Sequence, residues 1–244
     1  FKRGDTDQAV KDYESALGSL NRSIPRSKGL LLIWLLWEVL VQVIHTLVPK
    51  LFVNRRKRLP SDSERLAFRL YSGLAHGCWY SRGAVNTLWA HLRGLNLTER
   101  YLPTPELAHA YSEHAPVMSL LGLSSRGIRY AQQSLAIRQE LGDLWGQGQS
   151  LHYYGVVLYG ASRYKECIHR CRESIRLLER MGDLWEVHVA RYQIAASYYR
   201  LGDFASAIEE SRKNPRSVHE LQDKQALGII LDVWARASLG RLPA

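Results

Sequence analysis

The stretches LGDLW at residues 141–145 and MGDLW at residues 181–185 decide the fold, because they lie forty residues apart. Repeats with periods of about 20 to 50 residues are typical of helical solenoids. Registers that begin at residues 63, 103, 143 and 183 align at this spacing over most of the chain. A chance pairing of two tetrapeptides would not bring the rest of the sequence into register, so the spacing indicates a repeated unit.

Two columns of the aligned registers carry one kind of side chain each. The first column holds the small residues Ala75, Ala115, Gly155 and Ala195, and the column thirteen positions later holds Leu88, Ile128, Ile168 and Ile208. A small residue in the first half of a unit lets two helices approach closely, and an aliphatic residue in the second half fills the seam between them. Each unit is therefore predicted to be a helical hairpin.

The GDLW stretches mark the joints between hairpins. Gly142 and Gly182 follow an apolar helical run and suit the left-handed conformation that ends many helices. Asp143 and Asp183 can each cap the next helix by accepting a hydrogen bond from its free amides. We therefore predict that both aspartates are helix caps. Gly202 and Asp203 are expected to form the same kind of turn inside the last unit.

A second-helix pattern also opens the sequence, where residues 4–17 read GDTDQAVKDYESAL. This pattern resembles the second helix of a tetratricopeptide repeat. It consists of Gly-Asp, an alanine four residues after the aspartate, an aromatic residue four further along and an alanine three beyond that. The resemblance covers about residues 1–20 and 63–244, although the unit has about forty residues instead of about 34. It implies an all-α fold, a right-handed superhelical solenoid of antiparallel helix hairpins.

Longer phrases, with LGDLWGQGQSLHYYG at 141–155 as the most characteristic, resemble the helical repeat regions of large bacterial signalling proteins that contain a predicted ATPase module. The expected organisation is a partial unit and loop at 1–24, and a non-repeat insertion at 25–62. Four units follow at 63–222, and a partial unit or capping helix at 223–244. The abrupt start within charged, helix-like sequence, without a signal-peptide segment, leads us to expect a piece of a longer protein.

The apolar stretch at residues 29–48, GLLLIWLLWEVLVQVIHTLV, lies outside the register. Glu38, Gln42 and His45 fall on one stripe of the expected helix, which predicts a single polar edge on an otherwise buried surface. The favoured interpretation is a helix buried in the solenoid or at a dimer contact, which would make the chain a homo-oligomer. Membrane contact is the alternative, although a charged Glu38 in a bilayer would be costly.

The basic run NRRKR at 54–58 is interpreted as solvated surface, with an anion site as the alternative.

The composition bounds the function without deciding it. A formal net charge of +10 raises the question of an anionic partner, but nucleic-acid binding rests on charge alone because no recognition motif is present. Three cysteines form no disulfide framework and suit the cytoplasm.

No catalytic motif is visible in the sequence, so the chain is predicted not to be an enzyme and to need no cofactor. Cys167 and Cys171, with His169 between them, share a helix face, but both cysteines occupy packing positions of the repeat. No metal site is therefore predicted.

The resemblance implies that the first helices of the hairpins line a concave groove. Residues near the small position of each unit are the candidates for this groove: Arg69, His76, Trp79, His109, Gln149, His152, Tyr159, Tyr192 and Tyr199. Aromatic and basic side chains together suit a protein or peptide partner. The competing interpretation is that Trp79 and the tyrosines pack between neighbouring units.

We therefore expect a non-catalytic interaction or regulatory scaffold within a larger bacterial signalling protein. A repeat domain that senses a small effector molecule is the alternative, and an anion-binding or nucleic-acid-binding solenoid is a third.

Overall fold

The computed structural model describes residues 6–213 and 224–240, and every regular element in these two ranges is an α-helix. The chain divides into two compact units, residues 1–110 and residues 111–244. The helices are α1 (Thr6–Ser19), α2 (Lys28–Leu47), α3 (Pro49–Phe52), α4 (Asp62–Ser81), α5 (Ala84–Thr98), α6 (Pro105–Leu120), α7 (Ser124–Glu140), α8 (Leu144–Gly160), α9 (Tyr164–Met181), α10 (Leu184–Arg200), α11 (Phe204–Arg212) and α12 (Lys224–Leu239). The expected joint at residues 4–5 and the end of the fourth expected unit, from residue 214, lie outside the described residues.

Antiparallel hairpins form where the forty-residue registers place them. Helices α4 and α5 pair in the first unit, and α8 pairs with α9 and α10 with α11 in the second. The first helices of the four registers, α4, α6, α8 and α10, begin at residues 62, 105, 144 and 184. The all-α fold of helical hairpins that the repeat pattern predicts is thus observed.

The predicted helix caps are confirmed at both GDLW joints. Asp143 accepts a hydrogen bond from the Gly146 amide at 2.8 Å, and Asp183 accepts one from the Glu186 amide at 3.1 Å. Gly182 takes the left-handed conformation, with φ of 74°. The Asp203 side chain caps α11 in the same way, through the Ser206 amide at 3.0 Å.

The GDLW motif also connects successive repeats within the second compact unit. The indole Nε1 of Trp145 donates a hydrogen bond to Asp183 Oδ2 at 2.9 Å. Asp183 Oδ1 accepts from the first turn of α10 at the same time. The tryptophan of the first GDLW joint is therefore fixed by the aspartate of the second.

The small-residue column lies where helices approach most closely. A Cβ added at Gly155 of α8 would collide with the Cys171 sulfur of α9. Ala115 is fully buried and Ala195 is 1% exposed. Cys167 and Cys171 are also fully buried and pack in the core between α8, α9 and α10. The predicted packing role of the column and of the two cysteines is confirmed.

The expected burial of the apolar surface of α2 within the solenoid is wrong. Its buried residues are Leu31, Glu38, Gln42 and His45, so the polar stripe faces the protein. Leu36 and Trp37 on the opposite side are 68% and 60% exposed. The reason is that α5 offers complementary polar groups to the stripe, which the sequence pattern of α2 alone does not reveal.

Two residues of the polar stripe, Glu38 and His45, are bound by α5 and its C-cap residue Glu99. Arg93 Nη1 donates to Glu38 Oε1 at 2.8 Å, and Asn96 Nδ2 donates to Glu38 Oε2 at 2.8 Å. Further along, His45 Nδ1 lies 2.6 Å from Glu99 Oε2, with both side chains buried. The two helices run in the same direction, because the earlier residue of α2, Glu38, meets Arg93, and the later one, His45, meets Glu99. A buried charge with such partners holds one face of a helix in place.

The basic run at 54–58 is an ordered part of the first unit. The Arg56 amide donates to the Arg100 carbonyl at 3.0 Å, and the Leu102 amide donates to the Arg58 carbonyl at 3.1 Å. The guanidinium carbons of Arg56 and Arg58 lie 5.1 and 5.0 Å from the centre of the Tyr101 ring. Both side chains remain close to half exposed, so the run is solvated yet held against one aromatic ring.

Candidate interaction surface

The nine groove candidates fall into two groups, one in each unit. Arg69, His76, Trp79 and His109 belong to the first unit, and Gln149, His152, Tyr159, Tyr192 and Tyr199 belong to the second. Within each group the side chains differ in burial and in the partners they already contact. These differences decide which of them can meet another molecule.

In the first unit, Arg69 and His109 already have partners on neighbouring helices. Arg69 Nη2 donates to Glu106 Oε1 at 2.7 Å, and Ser72 Oγ lies 3.3 Å from His109 Nε2. The imidazole of His76 contacts the Tyr80 ring, with centroids 5.6 Å apart. Trp79 is 58% exposed. The indole of Trp79 is therefore the large apolar surface that this group offers to solvent.

In the second unit, Gln149 and His152 of α8 meet Glu186 of α10. Gln149 Nε2 donates to Glu186 Oε1 at 3.3 Å, and His152 Nδ1 lies 3.1 Å from Glu186 Oε2. Only 5% of Gln149 and 6% of His152 is exposed. Both residues therefore lie in the contact between two successive first helices.

The same kind of contact occurs once within each compact unit, where a carboxylate in the first turn of one first helix meets a polar side chain of the preceding first helix. Glu106 accepts from Arg69, and Glu186 accepts from Gln149, with 37 positions between donor and acceptor in both pairs. Our sequence reasoning missed Glu106 and Glu186 as partners. The signal was present, since both occupy the same column of the forty-residue registers.

The remaining three candidates form one surface, which we call the tyrosine cluster: Tyr159, Tyr192 and Tyr199. All three are half-buried and pack against Ala195, Ala196 and Val233. Val233 belongs to α12, so the last described helix completes the cluster. Burial raises the pKa of the Tyr192 hydroxyl, which stays protonated and available as a donor. The structure thus combines the two sequence interpretations, since the tyrosines pack between helices and keep part of each ring at the surface.

Two arginines stand at the edge of the tyrosine cluster. Arg200 Nε donates to the Tyr159 hydroxyl at 3.2 Å, and Arg200 is exposed. Arg236 on α12 donates to Asp232 at 2.8 Å, and this hydrogen bond raises the pKa of Arg236. Sequence reasoning did not single out either arginine, because only the folded chain brings α12 beside α10.

The two cysteines of α9 are fully buried, and their mutual hydrogen bond lowers the pKa of Cys167 while it raises that of Cys171. The hydrogen bond to Cys167 and burial hold the pKa of the Cys171 thiol well above its usual value. His169 lies on the outside of α9 with 68% of its side chain exposed, 3.5 Å from Glu173. The three residues that suggested a metal site in the sequence therefore do not converge.

The successive helical hairpins and their GDLW joints define an all-α, tetratricopeptide-like repeat fold. Two solved structures share it: aspartyl phosphate phosphatase F from Bacillus subtilis, and a Rap protein complexed with competence and sporulation factor. The phosphatase is 16% identical over 71% of this chain, with a TM-score of 0.57, and this chain spans 45% of its length. The Rap protein is 14% identical over 94% of this chain and 70% of its own, also with a TM-score of 0.57. No family model matches the sequence, and no curated protein matches it.

Proposed function

We propose that this chain is a regulatory interaction region that binds a protein or peptide segment through the tyrosine cluster of its second unit. The observation that carries the proposal is the set of three half-buried tyrosines edged by Arg200 and Arg236. Support comes from the solved Rap protein, which shares the fold over 94% of this chain and is complexed with competence and sporulation factor.

The chemistry of the cluster suits a binding anchor. Tyrosine and arginine are enriched among the residues that dominate binding energy at interfaces. Rings already held by Ala195, Ala196 and Val233 lose little conformational freedom when a partner arrives, so more of the contact energy remains as affinity. The guanidinium groups can bind a carboxylate or a backbone carbonyl of the partner.

The region contributes binding and not catalysis in this proposal. The carboxylates whose pKa is lowered, Glu64, Glu106 and Glu166, are each bound by arginine, which suits structural ion pairs better than acid–base work. As the sequence resemblance implies, the region would serve a larger bacterial signalling protein that acts in the cytoplasm and carries an ATPase module. Any chemical step would then belong to another part of that protein.

A displayed library of random dodecapeptides, selected on the immobilised chain, tests the proposal. Tyr199→Ala removes a ring of the cluster, and we expect it to weaken the selected peptides by roughly tenfold to a hundredfold. The matched control is Tyr198→Ala, because Tyr198 immediately precedes Tyr199 on α10, its hydroxyl accepts from Arg172, and it is not among the residues packed with Val233. Circular dichroism melts of both variants separate loss of binding from loss of folding.

Two results would overturn the proposal. Equal losses for Tyr199→Ala and Tyr198→Ala at unchanged stability would place binding elsewhere. A selection that yields no peptide, together with a saturable thermal shift from a small metabolite, would favour the effector-sensing alternative.

A further inference from the structure

The side of α2 that points away from α5 is an unusually large apolar surface, which we call the outer face of α2. It is formed by Ile33, Leu36, Trp37, Leu40 and Leu47, which are 64%, 68%, 60%, 49% and 73% exposed. In the short helix α3 that follows, Leu51 is also exposed, at 69%. Soluble proteins rarely leave contiguous apolar surface of this extent in water, and such patches mark interaction or membrane sites.

The buried side of α2 prevents the helix from hiding this surface. Rotating α2 to bury Leu36 and Trp37 would pull Glu38 away from Arg93 and Asn96. Separating Glu38 from Arg93 breaks a buried ion pair, and the loss of such a pair strongly destabilises a fold. The polar contacts with α5 therefore keep the outer face of α2 exposed.

The charge around α2 identifies the chemistry of that environment. Residues 20–60 contain eight lysines and arginines but a single acidic residue, Glu38, which is buried against Arg93. Among the cations, Lys28 begins α2, Lys50 lies in α3, and Arg55 and Lys57 follow α3, and all four are exposed. An apolar face with a basic rim complements an anionic lipid surface, since acyl chains take the face and headgroups take the rim.

We propose that the outer face of α2 binds the surface of an anionic lipid bilayer, with the helix lying in the plane of the headgroups. Trp37 lies within this face, and tryptophan is enriched at the boundary between headgroups and acyl chains. The proposal is independent of the tyrosine cluster, which belongs to the other unit. In this proposal the region would meet its partner at a membrane surface.

An in-plane helix fits the contacts better than a spanning one. Among the described residues, α2 is the one helix long and apolar enough to cross a membrane by length and composition. Its contacts with α5 extend from Trp34, whose ring lies 6.2 Å from that of Trp89, to His45, which binds Glu99. Crossing a bilayer would therefore require α2 to leave α5 along most of its length or to carry α5, with Arg93, into the bilayer.

A second copy of the chain is a poorer occupant than lipid. Two outer faces brought together would also bring together two rims of like charge, which opposes association. A protein interface of this size normally adds polar contacts at its edge, which fix the register of the partner. The outer face of α2 is composed of aliphatic side chains and one indole, as expected for a surface that meets a fluid phase.

Sedimentation with sucrose-loaded vesicles tests the proposal on the whole chain. We expect it to bind vesicles of phosphatidylcholine with phosphatidylglycerol and to leave pure phosphatidylcholine vesicles largely free. Leu36→Glu should weaken binding by at least about tenfold, because it replaces inserted apolar surface by a charge. Leu120→Glu is the matched control, since Leu120 is 78% exposed but lies at the end of α6. The triple change Lys50→Gln, Arg55→Gln and Lys57→Gln should weaken binding by roughly a hundredfold.

Three results would overturn the proposal. Binding to anionic vesicles that Leu36→Glu leaves unchanged would show attraction by charge without insertion of the outer face. Equal losses for Leu36→Glu and Leu120→Glu would show that the effect is not specific to α2. Failure to bind either vesicle, with a dimer in analytical ultracentrifugation that Leu36→Glu dissociates, would identify a second copy as the occupant.

Discussion

The carboxylate of Glu64 connects the first turn of α4 with the basic run before it. Arg58 Nη2 donates to Glu64 Oε1 at 2.9 Å, the Tyr101 hydroxyl donates to the same oxygen, and the Ser61 amide donates to Oε2 at 2.7 Å. The hydrogen bond from Arg58, helped by those from Tyr101 and Ser61, lowers the pKa of Glu64 from 4.5 to about 2. Because the folded value is the lower one, Glu64 stabilises the fold above about pH 4.5 and loses that effect as the pH falls toward 2.

We expect Glu64→Gln to lower the free energy of unfolding by ~1–2 kcal/mol at pH 7, since it removes a cap and an ion pair. The gap between variant and parent should shrink when unfolding is measured at pH 3. Glu166→Gln is the control, because Glu166 pairs with Arg163 at a position that is 55% exposed and should change stability little. A gap that stays constant with pH would contradict the role given to the Glu64 charge.

Asp183 combines a helix cap with a contact to the preceding joint, so its loss should cost more than that of a cap alone. Asp183→Ala removes the bonds from the Glu186 amide and the Trp145 indole, and we expect a loss of ~1–3 kcal/mol. Asp183→Asn keeps an oxygen that can accept one of the two bonds and should cost less. Chemical denaturation followed by tryptophan fluorescence measures both. Equal stability for the alanine variant and the parent would show that the contact between the two GDLW joints does not stabilise the second unit.

At the scale of helix pairs, Gly155 sets the distance between α8 and α9. We expect Gly155→Ala to lower the free energy of unfolding by ~1–3 kcal/mol, because the new methyl group would overlap the Cys171 sulfur. Adding Cys171→Ala should recover part of this loss. Gly18→Ala in α1 is the matched control of opposite sign, since nothing lies within 4 Å of the added carbon and alanine favours the helix. Destabilisation of the same size at both glycines would contradict the close-packing explanation.

The pairing of α2 with α5 depends on its buried charges. Arg93→Met should lower the free energy of unfolding by ~3 kcal/mol, because it leaves Glu38 buried without its cation. In the double variant Glu38→Gln with Arg93→Met the buried charge is gone, and we expect a smaller loss than in the single variant. Thermal denaturation of the two variants provides the comparison. A double variant less stable than Arg93→Met would show that the carboxylate contributes through something other than its pairing with Arg93.

The elements that could be predicted are those fixed by neighbours in sequence. Gly182 and Asp183 specify a helix end and a helix start through backbone conformation and capping, so their roles follow from adjacent letters. The orientation of α2 could not be predicted, because its periodicity separates two faces without saying which one meets the protein. That choice depends on Arg93 and Asn96, which lie more than fifty residues away and complement Glu38.

At the scale of the whole molecule, the two units carry different surfaces. The second unit holds the tyrosine cluster, for which the sequence predicted the rings but neither their grouping around Val233 nor the two arginines beside them. The first unit holds the outer face of α2 and the basic run, where much of the net positive charge is concentrated. This part of the +10 formal charge is the part that the proposed contact of α2 with anionic lipid would use.

The central claim is that a partner segment binds the tyrosine cluster, and hydrogen–deuterium exchange of the chain with its tightest selected dodecapeptide tests it most directly. We expect slower exchange in the C-terminal turns of α8 and α10 and in α12, where Tyr159, Tyr199 and Val233 lie. Exchange in α2 and α5 should be unchanged, and Tyr199→Ala should abolish the protection. Protection confined to α2, or absent from α8, α10 and α12 at saturating peptide, would contradict the claim.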